Sequence, residues 1–375
     1  LAEENKPRFC EISMQLSMLG LQFSENNLKA TNAYQMHLTD ESDLAGLPDT
    51  VREQAAAAAA EKGLEGWLFT LHSPSYGPFS TYSENRELRK KIFYASVLRC
   101  TKGTEFDNSE VCRQIVNLRQ ELAQLLGYKC YADYVLSRRM AGSSKAVYDL
   151  LDQLIDSYRP TAVKELEEVR QKAREMEGED FEMKPWDLGY YSHKLQLERF
   201  NLDSEMTRPY FPLQQVIDGV FGLATRLYGI TFRLNTECPL YHPDVKAFDV
   251  LEADGTPLAL LYTDFFPRES KQGGAWMTEY RDQWIDDDGT NHQPHVSIVM
   301  NFSKPTPERP ALLTLGEVGT LLHEFGHALH GMFSHVRRRN MGGTKVYWDF
   351  VELPSQFMEN YLLEPVFLRT FARHY

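Results

Sequence analysis

The sequence predicts a mainly α protein with one small antiparallel sheet, and three observations carry that reading. Apolar residues recur at helical spacing through most of the first 230 positions, as in Ile12, Leu16, Leu19, Leu21, Phe23 and Leu28. Short runs rich in β-branched and aromatic residues, bounded by Gly, Pro or Asp, are confined to 230–302. Helical periodicity then returns at 314–333 and 349–363. The change at 230 divides the chain into a helical region, 1–229, and a second region, 230–375.

The first helix is expected within 1–36, and a second over 48–62 opens at Pro48-Asp49 and runs through six alanines, 55–60. GWLFTL, 66–71, reads as a short strand, and the Pro, Ser and Gly of 73–79 read as a loop. Helices follow over 84–99, 108–126 and 129–140. Ser143-Ser144 is a natural N-cap for a long helix reaching about residue 177. Its segment VKELEEVRQKAREME alternates in sign and reads as a solvated face. Helices over 184–200 and 212–228 complete the first region. In the second, ITFRLN, AFDVLEADG, ALLYTDF and HVSIVMNF are the strand candidates. No internal repeat is present.

Composition limits the function classes. A net charge of −13 argues against a nucleic-acid or anionic-membrane partner, since both require clustered Lys and Arg. The five cysteines are odd in number and widely spaced, with no CxxC pair, which fits neither a disulfide framework nor a cysteine zinc site. That pattern is compatible with a reducing, cytoplasmic setting. No apolar run approaches the roughly 18–20 residues of a membrane span. The chain starts without Met, a basic leader or a signal core, and both ends lie inside helical patterns, so a fragment of a longer protein is expected.

LLHEFGHALHGMF, 321–333, is the segment that points to chemistry. Residues four apart share a helix face, so His323 and His327 can direct ring nitrogens at one ion. Glu324, one step round, reaches a water on that ion without ligating it, the arrangement of HExxH zinc hydrolases. Two imidazoles and one carboxylate suit Zn2+ and leave a position open for water. The ion activates that water, and Glu324 is the general base. The bland alternative is an amphipathic helix with solvated histidines. Against it, Leu321, Leu322, Phe325, Ala328 and Leu329 leave little of this helix to face water.

A metzincin needs Gly and then His at the positions held here by His330 and Phe333, which removes that class. His330 is expected to pack rather than ligate. The third donor is then an acid from the helical segment FVELPSQFMENYLLEP, 350–365. Glu352 and Glu359 are seven apart and share a face, so either can ligate while the other orients a histidine. Asp349 is a further supporting acid. Composition does not choose between Glu352 and Glu359.

HEFGHALHG at 323–331 with DFVELPSQFMEN at 349–360 closely resembles the thimet-oligopeptidase family of zinc metallopeptidases, across its peptidyl-dipeptidase and oligopeptidase A branches. GWLFTLHSPSYGPF, ENRELRKKIFYA, ELAQLLGYKCYADY and KQGGAWM agree, so the resemblance covers nearly the whole chain. It implies a zincin-like fold of two helical lobes around a deep channel, with one Zn2+ per chain held by His323, His327 and Glu352. Glu359 becomes a supporting acid beside the metal. The implied substrates are short peptides, with no nucleic acid or membrane partner, and the full-length protein is expected to be monomeric. GGAWM is expected near an edge strand, where exposed backbone can pair with an extended peptide.

Family members run well beyond the position where this chain stops, through a Gly/Tyr-rich loop that stabilises the oxyanion. Loss of such donors typically lowers rates by about two to three orders of magnitude. The expectation is therefore a chain that binds zinc but cleaves peptides weakly or not at all. The alternative function is a catalytically inactive peptide-binding fragment.

Overall fold

In the computed structural model, which describes residues 1–375, the helical spacing of the first two hundred positions becomes eight α-helices and one two-stranded ribbon. Helix α1 (Lys6–Ala33) is tied to α5 (Ser109–Leu125) by a forked pair in which Arg8 donates to both oxygens of Glu121, at 2.6 and 2.7 Å. Between them come β1 (Met36–Leu38), α2 (Asp49–Glu61), β2 (Trp67–Phe69), α3 (Ser73–Tyr82) and α4 (Arg86–Val97). In α2 the residues four apart, Val51, Ala55 and Ala59, are buried on one face. The two strands pair antiparallel and deliver Met36, Leu38 and Phe69 to a core shared with Leu44, Phe79 and Ile92.

The segment expected as a loop, 73–79, is instead the start of α3. Pro74 lies in its first turn, where a missing N–H removes no helical bond, and the burial of Phe79 and Tyr82 outweighs the interior Pro78. The helix expected over 129–140 contracts to α6 (Tyr131–Leu136). The long helix α7 (Ser144–Glu177) begins where its cap requires, with Ser143 Oγ accepting from the Ala146 N–H at 3.2 Å. Helix α8 (Leu188–Phe200) closes this part of the chain, and the wholly buried Asp187 before it accepts from Arg86 and Arg89.

The boundary between the two compact units falls at Asn201–Leu202. A short α9 (Ser204–Thr207) precedes α10 (Leu213–Tyr228), which the sequence reading assigned to the first region. Its Val216, Ile217, Val220, Leu223 and Ala224 are buried in the core of the second unit.

That core is laid on a five-stranded sheet of β3 (Thr231–Asn235), β4 (Lys246–Leu251), β5 (Pro257–Asp264), β6 (Trp276–Arg281) and β9 (His295–Val299), with β7 (Trp284–Ile285) and β8 (Asn291–His292) as a separate ribbon. The sheet order is β3-β4-β5-β9-β6. The mainly helical class with a small sheet is as expected, but one pair is not antiparallel. β5 and β9 run parallel, from Leu260 opposite His295 to Asp264 opposite Val299. The chain leaves β5 for the far edge, forms β6, and returns through the ribbon to insert β9 between them. The expected strands did not include β6, because Thr278, Glu279 and Arg281 interrupt its apolar pattern. GGAWM leads directly into it, and β6 is an edge.

Helix α11 (Leu315–Met332) starts in a reciprocal cap. Thr314 Oγ1 accepts from the Glu317 N–H at 3.1 Å, and Glu317 Oε2 accepts from the Thr314 N–H at 2.7 Å. Its Val318, Leu321, Leu322, Phe325, Ala328, Leu329 and Met332 join the sheet's Val250, Leu261, Val296 and Ile298 in one core. Helices α12 (Leu353–Glu359) and α13 (Pro365–Phe371) follow, with Phe367 and Phe371 buried in the same core.

Candidate metal centre

The centre is built where α12 approaches α11. A Cβ on Gly326 would stand 2.5 Å from the Pro354 carbonyl oxygen and 2.6 Å from Ser355 Cα, so only glycine permits this approach. Gly326 lies between the two histidines of the motif. Their rings stand edge to face, with centroids 4.9 Å apart.

The approach brings Glu352, at the N-cap of α12, onto both imidazoles. Its Oε2 is 3.2 Å from His323 Nε2 and 3.2 Å from His327 Nε2. The three donor atoms all lie within 4.8 Å of one another. Donors bonded at about 2.1 Å around a tetrahedral ion are separated by roughly 3.4 Å, so the set fits zinc.

The remaining contacts prepare these donors. His323 Nδ1 donates to Glu359 Oε1 at 2.6 Å, which fixes the proton on Nδ1 and leaves the Nε2 lone pair free. Burial lowers the pKa of His327 and so favours the neutral ring, the form that ligates. Its Nδ1 is buried without a partner. Ser355, which is wholly buried, donates from Oγ to Glu352 Oε2 at 2.8 Å and so orients the oxygen that faces the histidines.

Glu324 is 5% exposed, and its Oε2 has no hydrogen-bond partner. Burial, reinforced by the charge of Glu352 and opposed by His323, pushes its pKa up to about 7. A carboxyl group so tuned takes and returns a proton near neutral pH.

The donor group consists of His323, His327 and Glu352. Glu359 reaches the same imidazole as Glu352 but from its other nitrogen. His330 stands outside the group, with its ring edge to face against Phe350 at 6.2 Å, and burial lowers its pKa. Asp349 also stands outside it. Sequence reasoning missed Gly326 and Ser355. Ser355 had a local signal, since it stands one helical turn after Glu352. Gly326 had none, because its role depends on a second helix.

The last turn of α11 lies against the edge strand. A Cβ on Gly331 would stand 3.0 Å from Glu279 Oε1 and 3.2 Å from Met277 Cε, both on β6. Val296 of β9 stands 3.3 Å from the same point, so the end of α11 packs on the sheet face that β6 and β9 share.

Known proteins share this arrangement of sequence. Over its whole length the chain is 40% identical to oligopeptidase A of Escherichia coli, 35% to dipeptidyl carboxypeptidase of the same organism and 31% to saccharolysin of Saccharomyces cerevisiae. It spans 56%, 55% and 54% of those proteins, a little more than half of each. Residues 79–375 match peptidase family M3 and take in the second unit with all of its donor group. With most of its length matched in this way, the chain belongs to peptidase family M3.

Proposed function

We propose that this chain carries the zinc-binding and proton-transferring part of a metallopeptidase acting on short oligopeptides. The observation that carries the reading is the convergence of His323 Nε2, His327 Nε2 and Glu352 Oε2 beside a buried Glu324 whose Oε2 has no partner. Similarity to proteins named oligopeptidase A and dipeptidyl carboxypeptidase supports the substrate class and leaves both cleavage modes in play.

Zinc held by these three residues would polarise the scissile carbonyl and acidify a water in its open position. Glu324 takes the proton that water loses as its oxygen adds to the carbonyl carbon. It then passes that proton to the amine nitrogen as the C–N bond breaks. Glu359 holds the His323 ring and its tautomer, and Ser355 holds the Glu352 oxygen. The free edge of β6 offers backbone N–H and C=O groups to an extended peptide.

The test is zinc content and hydrolysis of a short peptide by wild type and Glu324→Gln. The reading expects one zinc in each and weak hydrolysis by wild type, removed by a chelator, restored by zinc and absent from the variant. Zinc and peptide binding without hydrolysis in wild type would make the chain a peptide-binding piece. A wild type that holds no zinc overturns the reading.

A further inference from the structure

The proton-transfer scheme makes no use of two polar side chains buried where β6 passes into β7. Asp282 is 7% exposed and Gln283 2%. Both reach across to the connection that leaves α11 at Met332 and arrives twenty residues later at Glu352. Gln283 Oε1 accepts from the Val336 N–H at 2.7 Å, and the Val336 carbonyl accepts from the Ile285 N–H at 3.0 Å. Asp282 Oδ2 accepts from Arg339 Nε at 2.8 Å and from Lys345 Nζ at 2.5 Å. On β6 itself, Glu279 Oε1 accepts from the Thr344 N–H at 3.2 Å. Gly342 and Gly343 are buried here. Gly343, at φ +57°, has no room for a Cβ beside the Glu279 carboxylate.

These contacts pin the connection at Val336 and again at Arg339, Thr344 and Lys345. Seven residues then lead from Lys345 to Glu352. Tyr347 and Phe350 on the way, and Leu353 just after, are exposed, so burial of these side chains does not set the path. Helix α12 has seven residues, too few to stand on helical propensity alone. The delivery of Glu352 is therefore sensitive to how the connection is tethered. The entropic cost of closing a flexible connection rises as the 3/2 power of its length, expressed as a probability ratio. With the pins in place the tether on Glu352 is about seven residues long, and with them released it is about sixteen to twenty. That difference makes the encounter of Glu352 with the two histidines about three- to fivefold more favourable in the pinned state.

We propose that Asp282 and Gln283 are positioning residues that latch the connection between α11 and α12 to the end of β6, shorten the tether on Glu352 and so tighten the hold on zinc. The inference rests on the metallopeptidase reading, since it needs zinc at the donor group. Neither residue touches the metal donors, and both act through the segment that carries one of them. The coupling is reciprocal, so bound zinc tightens the latch by the same factor.

Two measurements test this on the full chain. The first is hydrogen exchange of the Val336 and Thr344 amides in wild type, with and without zinc. Both amides donate to latch side chains, and zinc should slow their exchange about three- to fivefold. A latch that served the fold alone would not respond to zinc. The second is the zinc Kd, by competition with a chelator, of wild type, Asp282→Ala and the double variant Asp282→Ala/Gln283→Ala. The single variant should bind zinc about threefold more weakly and the double about fivefold, with one zinc still bound at saturation. Val336 and Thr344 amides that exchange equally fast in zinc-free and zinc-loaded wild type overturn the inference, even where the variants fail to fold. A folded double variant with a zinc Kd within about 1.5-fold of wild type overturns it as well. Either result leaves the metallopeptidase reading standing. A wild type that binds no zinc overturns both.

Discussion

Each unit buries a carboxyl group, and the two are treated differently. In the first unit Asp187 is wholly buried and saturated. Arg86, Arg89 and the Lys184 N–H all donate to it, and despite its burial these partners hold its pKa below the usual carboxylate range. In the second unit Glu324 is nearly as buried, yet one of its oxygens has no partner and its pKa is pushed up to about 7. A paired buried charge organises the chain around it. An unpaired one beside a set of metal donors is, in the proposed mechanism, the group that carries the proton. Asp264 shows that the difference is not one between units, since it is as fully paired as Asp187.

Substitutions can break this comparison. The largest effect is expected from Asp187→Ala, which leaves the buried Arg89 guanidinium uncompensated and should lower stability to denaturant by roughly 3–5 kcal/mol. Next is Gly326→Ala. The added methyl would meet backbone at 2.5 Å, which a side-chain rotation cannot relieve. It should displace the start of α12, lower stability by about 1–3 kcal/mol and abolish tight zinc binding, read by unfolding and by metal titration. Glu359→Ala should leave the fold intact and weaken zinc about 10–100-fold in the same titration, because His323 loses the acceptor that fixes its ring. Smallest in magnitude, but opposite in sign, is Glu324→Gln. Removing an unpaired buried charge should raise the thermal stability of the metal-free protein, by about 0.5–2 kcal/mol. If Glu324→Gln instead destabilised the protein as Asp187→Ala does, the distinction between the two carboxyl groups would fall.

How far the sequence carried the fold follows from the range of each interaction. Helix α7 with its Ser143 cap and helix α11 with its two histidines on one face are local, and each was legible from spacing. The start of α3 was not, because the burial of Phe79 and Tyr82 is tertiary and overrides the turn chemistry of Pro74, Gly77 and Pro78. Edge strand β6 was not legible either, because Thr278, Glu279 and Arg281 interrupt its apolar pattern. The parallel pairing of β5 with β9 depends on how the chain returns from that edge. The same limit applied to the centre. Helical register set His323 and His327 together, but whether Glu352 or Glu359 faced their Nε2 atoms depended on how closely α12 could approach. Gly326 determines that, through a contact with no trace in local periodicity.

The claim on which the rest depends is that three side chains from α11 and the N-cap of α12 share one ion. A crystal structure of the zinc-loaded protein tests it directly. A single zinc is expected within about 2.0–2.2 Å of His323 Nε2, His327 Nε2 and Glu352 Oε2, with Glu324 beside the ion but not bonded to it. Zinc ligated by His330 or Glu359 in place of any of these, or no zinc between the two helices, would contradict it.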